Sequence, residues 1–308
     1  MQWPVTCNKK NMSLIIGKKE LSTILFLADT KLTIDILDKT VTGGHKMRVN
    51  PLSGILKTYI ISSKVCISFA GKVENSIEII KMCMIDNPNN IPEYLKEKLN
   101  QSIDKNSEFL VGISEISKTI MYKVNFEKIT LGETFWTGNL DGFNEYQSHY
   151  HNKKNNNENK FSQSQAAFAD LVTYTNVSTV GEFIVETIYD TNQNAFMYCE
   201  RLMSFRGERV FNVQKGKTVT LDVEGSNAIG SFQVSNLVSK DIDKPAVALF
   251  FPLANSGVLF TVDYCLENEG CGKVFTNISV KEFKEQIENE YGILLEGYIL
   301  NDNRPMKI

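Results

Sequence analysis

Few residues in this 308-residue chain are of the types that do chemistry, and their spacing removes most of the options. Six cysteines stand at 7, 66, 83, 199, 265 and 271, with no Cys-x-x-Cys pair and only three histidines, His45, His149 and His151, to assist them. Zinc and iron–sulfur sites need thiolates and imidazoles brought together by close spacing, so no metal or cofactor is expected. Cys66 and Cys83 lie in apolar patterns and read as small core residues. His45 abuts a turn, while His149 and His151 border a polar tract, which makes all three surface residues rather than members of a Ser/His/Asp set. The sequence contains no Gly-rich phosphate loop, no Gly-x-Ser-x-Gly elbow and no His-Glu-x-x-His.

Charge and hydropathy narrow the class further. Lys plus Arg number 33 and Asp plus Glu 36, a net charge of −3 that supplies no phosphate-neutralising surface, so nucleic acid is not an expected partner. With 42% hydrophobic residues the chain can bury a sizeable core without disulfides. Its longest apolar stretches, such as Ser22 to Ala28 and Val247 to Pro252, fall far short of the roughly 20 residues that span a bilayer, so no membrane helix is expected. The opening residues MQWPVTCNKKNM carry neither an apolar signal core nor an Arg-rich amphipathic pattern. A cytoplasmic location follows, with residues 1–12 as a leader that adds nothing to the fold.

Several elements can be placed. Ser13 to Ile16 and Ser22 to Ala28 flank a Gly17-Lys18-Lys19-Glu20 break and read as a strand pair. Leu56 to Ser62 and Lys64 to Ala70 are strands, and Phe69-Ala70-Gly71 leads into a helix with the stripe Val73, Ile77, Ile80, Met84, ended by Pro88. A second helix opens near Pro92 with Leu95, Leu99 and Ile103 on one face. Phe109 to Ile113, Thr119 to Val124 and Glu133 to Thr137 return to strand, and a helix begins near Asn139. The tract HNKKNNNENK, 151 to 160, is too polar to order itself and reads as an exposed, mobile insertion. A helix from Phe161 carries Phe168, Leu171 and Val172, and a strand pair covers Gly181 to Tyr189 and Ala195 to Cys199. Runs of strands separated from runs of helices predict antiparallel sheets with helices on their outer faces, an α+β fold. In the last third, Lys217 to Val223 and Val258 to Tyr264 read as strands, and Ser279-Val280-Lys281-Glu282 as the capping box of a helix.

A pattern spread over the first two hundred residues goes further. Ser13-Leu14-Ile15-Ile16-Gly17, then Ile24-Leu25-Phe26-Leu27-Ala28-Asp29, then Gly44-His45-Lys46, then Ile67-Ser68-Phe69-Ala70-Gly71 together resemble the proteasome β-type subunits and their bacterial two-ring relatives, which are N-terminal nucleophile hydrolases. Phe109-Leu110-Val111-Gly112 and Met121-Tyr122-Lys123-Val124 resemble the family's central hairpin, and Trp136-Thr137-Gly138-Asn139 stands where the family has Ser-Gly before a helix. The resemblance covers Met12 to Cys199 as a scatter of short motifs. It implies a four-layer αββα sandwich over residues 13–205, with 206–308 as a C-terminal α+β extension outside the family pattern.

In that family the nucleophile is residue one of the mature chain, and the family spacing counted back from Asp29 lands on Ser13. The resemblance implies Ser13 as nucleophile, Asp29 and Lys46 as its charged partners, the Gly71 amide as oxyanion donor and Thr137 as a supporting hydroxyl. Phe69 aligns with the lining of the specificity pocket, which implies a preference for small side chains. The chemistry is coherent: a free α-amine on the same residue takes the hydroxyl proton, a neighbouring ammonium lowers that amine's pKa, and an amide at a helix start holds the oxyanion. Three features depart from the family. Ser replaces the usual Thr, the Asp of the family's Asp-x-x-Ser-Gly-Gly segment falls near Val177, and the last third has no counterpart.

Twelve residues precede Ser13, so its nitrogen must be freed by autolysis after Met12 or by translation from Met12 with removal of that methionine. Cys7 is a poorer nucleophile candidate, because Asn8-Lys9-Lys10-Asn11 makes no buried strand. The function implied is hydrolysis of peptide or amide bonds in a peptide or protein substrate by a self-associating, ring-forming protein. The alternative is a non-catalytic, self-assembling protein that keeps the same fold as a scaffold.

Overall fold

A computed structural model describes residues 13–30, 47–49, 54–115, 118–152, 159–174, 177, 180–181, 183–205, 209–214, 217–221, 232–252, 255–301 and 304–308. In chain order these form β1 (Leu14–Glu20), β2 (Thr23–Asp29), β3 (Met47–Val49), β4 (Thr58–Ser62), β5 (Val65–Ala70), α1 (Val73–Asp86) and α2 (Ile91–Gln101). Next come β6 (Glu108–Ser114), β7 (Thr119–Val124), β8 (Ile129–Leu131), β9 (Thr134–Gly138), α3 (Leu140–Asn152), α4 (Lys160–Tyr174), β10 (Ile184–Asp190) and β11 (Ala195–Tyr198). The last part holds β12 (Arg201–Phe205), β13 (Arg209–Gln214), β14 (Lys217–Leu221), β15 (Phe232–Ser239), β16 (Ala246–Phe251), β17 (Ser256–Thr261) and α5 (Val262–Glu267). It ends with β18 (Lys273–Thr276), α6 (Val280–Tyr291), β19 (Leu295–Glu296), β20 (Tyr298–Asn301) and β21 (Arg304–Lys307).

The protein is α+β, with several antiparallel sheets. One sheet runs β11-β10-β2-β1-β9 and a second β4-β5-β6-β7-β8. Their facing strands touch: β1 meets β5 and β7, β2 meets β7, and β9 meets β5 and β6. Gly17 shows why the approach is close, since a Cβ there would stand 3.0 Å from Met121 Sδ and 3.1 Å from the Phe26 ring. Of the helices, α1 packs on β5, α2 on β7 and β8, and α4 on β2. The side chains between these elements, among them Ile15, Phe26, Leu110, Val111, Met121, Leu95 and Phe168, are buried. Each contributes about 1.5–3 kcal/mol by leaving water.

The described residues of the last third pack into the rest of the molecule. A third sheet, β12-β15-β16-β17-β18 with β19 on β15, begins at Arg201, so the expected boundary near residue 205 falls inside it. One set of its side chains, including Val247, Leu249, Val258 and Phe260, joins the main core. The alternate set, including Ala246, Ala248 and Leu259, packs with Phe283 and Ile287 of α6. This period-two split is what a sheet with two covered faces requires. α6 has the expected capping box, with Ser279 Oγ accepting from the Glu282 amide and Glu282 accepting from the Ser279 amide, and it stops at Gly292 with φ of 62°.

Several sequence expectations need correction. Ile103 is not on the α2 stripe: the helix ends at Gln101 because Ser102 turns to ψ of 148°, and Ile103 is fully exposed. The strand expected to reach Tyr264 ends at Thr261, whose hydroxyl accepts from the Tyr264 amide and caps α5. Of the tract 151–160, residues 151–152 belong to α3 and Lys160 to α4, because the flanking helices continue past the change in composition, and 153–158 lie outside the described residues. His149 is only partly exposed, with Nε2 3.5 Å from Glu145 and Nδ1 3.9 Å from Asp170 across α3 and α4.

Candidate functional site

Asp29 ends β2 opposite the start of β1, where the chain has just left Ser13. It is fully buried, and its Oδ1 accepts two hydrogen bonds of 2.9 Å, from the Leu14 amide and from Lys57 Nζ. Its Oδ2 accepts from the Gly181 amide at 3.4 Å. Burial pushes the Asp29 carboxyl upward, while the Lys57 charge and the two amides pull it back toward the ionised form. One carboxylate oxygen therefore joins the peptide of Ser13 to a buried ammonium.

The cation on Asp29 is Lys57, whereas the resemblance had pointed to Lys46, which lies outside the described residues. A signal in the sequence could have found it. Lys57 lies inside the apolar run Leu56 to Ser62, and a lysine buried there needs a carboxylate partner. The β4–β5 hairpin also fixes Lys57 relative to Gly71, because the Lys57 carbonyl accepts from the Phe69 amide at 3.0 Å, two residues before that glycine.

Ser13 itself is 8% exposed, and its carbonyl accepts from the Asn139 amide at 2.6 Å. Leu14 pairs with Gly138, whose φ is 109° and whose hypothetical Cβ would lie 1.9 Å from the Ser13 oxygen. Only glycine fits there. Gly71 has φ of 119° and leaves 2.7 Å between such a Cβ and Ser107 Cα, so the turn from β5 into α1 also requires glycine.

Thr137 is fully buried, and its hydroxyl donates to Glu108 Oε2 at 2.6 Å. Lys123 Nζ reaches the same oxygen at 2.9 Å and donates to the Trp136 carbonyl at 3.0 Å. Glu108 pairs with Ala70 in the sheet, so this second charged cluster stands beside Gly71; Glu108 and Lys123 were not singled out from the sequence. Phe69 is 1% exposed and stacks on Tyr59 with ring centroids 6.2 Å apart, which makes it a packing residue in this structure. The described cysteines are poor nucleophiles, since burial raises the thiols of Cys66, Cys199, Cys265 and Cys271 and raises Cys83 to about 11. Cys7 lies outside the described residues.

Among the described residues no helix is long and apolar enough to cross a membrane. Compared with protein-family models and with curated proteins, the chain matches neither.

Proposed function

We propose that this chain is a proteasome-like N-terminal nucleophile hydrolase of four-layer αββα architecture that cleaves peptide or amide bonds with Ser13. The observation that carries the reading is the buried Asp29 oxygen shared by Lys57 and the Leu14 amide, one peptide bond from Ser13. The contacts of β1, β2 and β9 with β5, β6 and β7, together with those of α1, α2 and α4 on the strands, support the architecture.

In this reading the freed Ser13 amine accepts the Ser13 hydroxyl proton as Oγ bonds to the substrate carbonyl carbon. Lys57, held ionised by Asp29, keeps the amine neutral by like-charge repulsion. The Gly71 amide, at the turn into α1, stabilises the oxyanion. The amine then protonates the departing amide nitrogen, leaving an ester on Ser13, and water regenerates the hydroxyl. Thr137, held by Glu108, orients the groups around the amine. Peptide or protein substrates and self-association into rings belong to the same reading and follow from the resemblance alone.

The test is the intact mass and amino-terminal sequence of the protein made in its native gene context, with labelling by a serine-acylating β-lactone. A chain that begins at Ser13, labelled there and unlabelled as Ser13→Ala, is the expected result. A chain that keeps Met1 and takes no label sinks the hydrolase reading and leaves the non-catalytic scaffold in its place.

A further inference from the structure

Lys57 belongs to no strand. It ends the stretch 54–57 that leads into β4, and that stretch is held at several points. The Ile55 amide donates to the Thr30 carbonyl at 2.9 Å, next to Asp29. The Leu56 amide donates to the Gly270 carbonyl at 2.9 Å, and Ile55 forms an isolated antiparallel bridge with Cys271. Gly54 packs beside the Phe260 ring of β17. Thus the backbone directly before Lys57 is tied on one side to the end of β2 and on the other to the last third of the chain.

The loop that makes this second tie is itself fixed. The Gly270 amide donates to the Cys265 carbonyl at 2.7 Å and the Cys271 amide to the Asn268 carbonyl at 2.9 Å, which anchors the loop to α5. Val262, Cys265 and Leu266 of α5 are buried in the main core, where α5 touches α1 and β4. Gly270 has φ of 83°, and a Cβ on it would meet Ile77 Cδ1 at 2.9 Å. Its carbonyl accepts from Leu56 while the residue holds that left-handed conformation, which side chains resist.

We propose that the loop 268–271 is a positioning element for Lys57, so that the last third of the chain completes the Ser13 site. This rests on the hydrolase reading given above. The physical reason is that Asp29 is sealed from water: if Lys57 drifts, no solvent replaces it, and the ammonium that keeps the Ser13 amine neutral moves as well. Gly270 is thus a positioning residue that acts through Lys57 and does not touch substrate.

The experiment compares full-chain wild type, Lys57→Met, Gly270→Ala and Gly292→Ala, with Ser13 as the exposed amino terminus. Acylation of Ser13 by a β-lactone is followed from about pH 5 to about pH 9, the range in which an α-amine titrates. Gly292 is a matched control in the same third of the chain, with φ of 62° and a Cβ that would meet the end of a side chain, Lys244 Nζ, at 2.9 Å. Gly270→Ala is expected to slow acylation about 10- to 100-fold relative to Gly292→Ala and to move the acid limb of the profile to higher pH. If alanine unfolds the chain, Gly270→Asn, which tolerates positive φ, replaces it. Slow acylation of Lys57→Met with Gly270 and Gly292 variants alike overturns the positioning role and leaves the site reading intact. No acylation in the wild type, or Lys57→Met acylated at the wild-type rate, removes the site reading and this proposal together.

Discussion

Two lysine–carboxylate pairs flank the strand that begins after Ser13, and both measure 2.9 Å. Asp29 and Lys57 have no side-chain exposure, whereas Glu108 and Lys123 keep 29% and 23%. Distance alone would rank them equal, but their surroundings do not. Charges that water still reaches lose little when one partner is removed, because solvent takes its place. Charges sealed from water depend on each other, and the survivor of a broken pair bears the whole cost of its burial. The Leu14 and Gly181 amides add fixed dipoles to the sealed pair, which makes it the more rigid of the two.

The sharpest break of this comparison is Lys57→Met. It leaves Asp29 buried without its cation, and denaturant unfolding should show a loss of about 3–5 kcal/mol near neutral pH. The pH dependence has a definite sign. Without Lys57 the folded-state pKa of Asp29 rises further above the unfolded value of about 4, so the folded state holds a proton that the unfolded state releases. The gap between variant and wild type is therefore smallest below about pH 4 and widens as pH rises. A gap that stays flat would mean that Asp29 is not the group left unpaired.

Lys123→Met is the matching change at the exposed pair, with an expected loss of about 1 kcal/mol or less. Glu108 keeps the Thr137 hydroxyl as a donor and gains access to water. Salt separates the two sites further, since screening weakens only charges that solvent surrounds. The Lys123→Met loss should shrink in high salt and the Lys57→Met loss should not. A loss at Lys123 as large as that at Lys57 would show that burial is not what distinguishes them.

The same contrast explains what the sequence made visible. Asp29 was named through the resemblance, because it closes the second apolar strand directly after Ala28; read locally, the same position looks like an ordinary strand-end acid. Gly71 was legible as the turn into a helix and Gly138 only as part of the Trp136-Thr137-Gly138-Asn139 match, and both occupy backbone conformations that favour glycine. The α+β class with antiparallel sheets followed from runs of strand and helix periods, which are local. Lys57 was missed because its partner is 28 residues away and the connection runs through a fold, not a motif. Glu108 and Lys123 were missed for a related reason: each sits at an ordinary polar position of its own strand, and only the register of β5, β6 and β7 brings them to Thr137. The last third was hardest to read, since β16 and β17 are buried on both faces, one against each core, so no polar alternation marks which side packs where.

Lys18 extends the comparison to a cation held against a ring, with Glu20 acting on it only as a nearby charge. Its ammonium sits 3.7 Å from the centre of the Tyr150 ring and is nearly buried. Burial first, then the nearby charge of Lys160, lowers its pKa from 10.5 to about 8, with Glu20 opposing. Below that value Lys18 is protonated in both folded and unfolded chains, and the full cost of burying the charge is present. Between it and the unfolded value the folded chain releases the proton while the unfolded chain keeps it, so stability rises with pH. Near pH 8, where Lys18 is half-titrated, the slope should be ~0.7 kcal/mol per pH unit, and Lys18→Met should lack it. Parallel urea titrations of the two proteins from about pH 7 to about pH 9 read this slope as their difference, which cancels the other titrating groups. If the difference does not change with pH, Lys18 keeps its proton in the fold, and the Tyr150 face holds the ammonium as firmly as Asp29 holds Lys57.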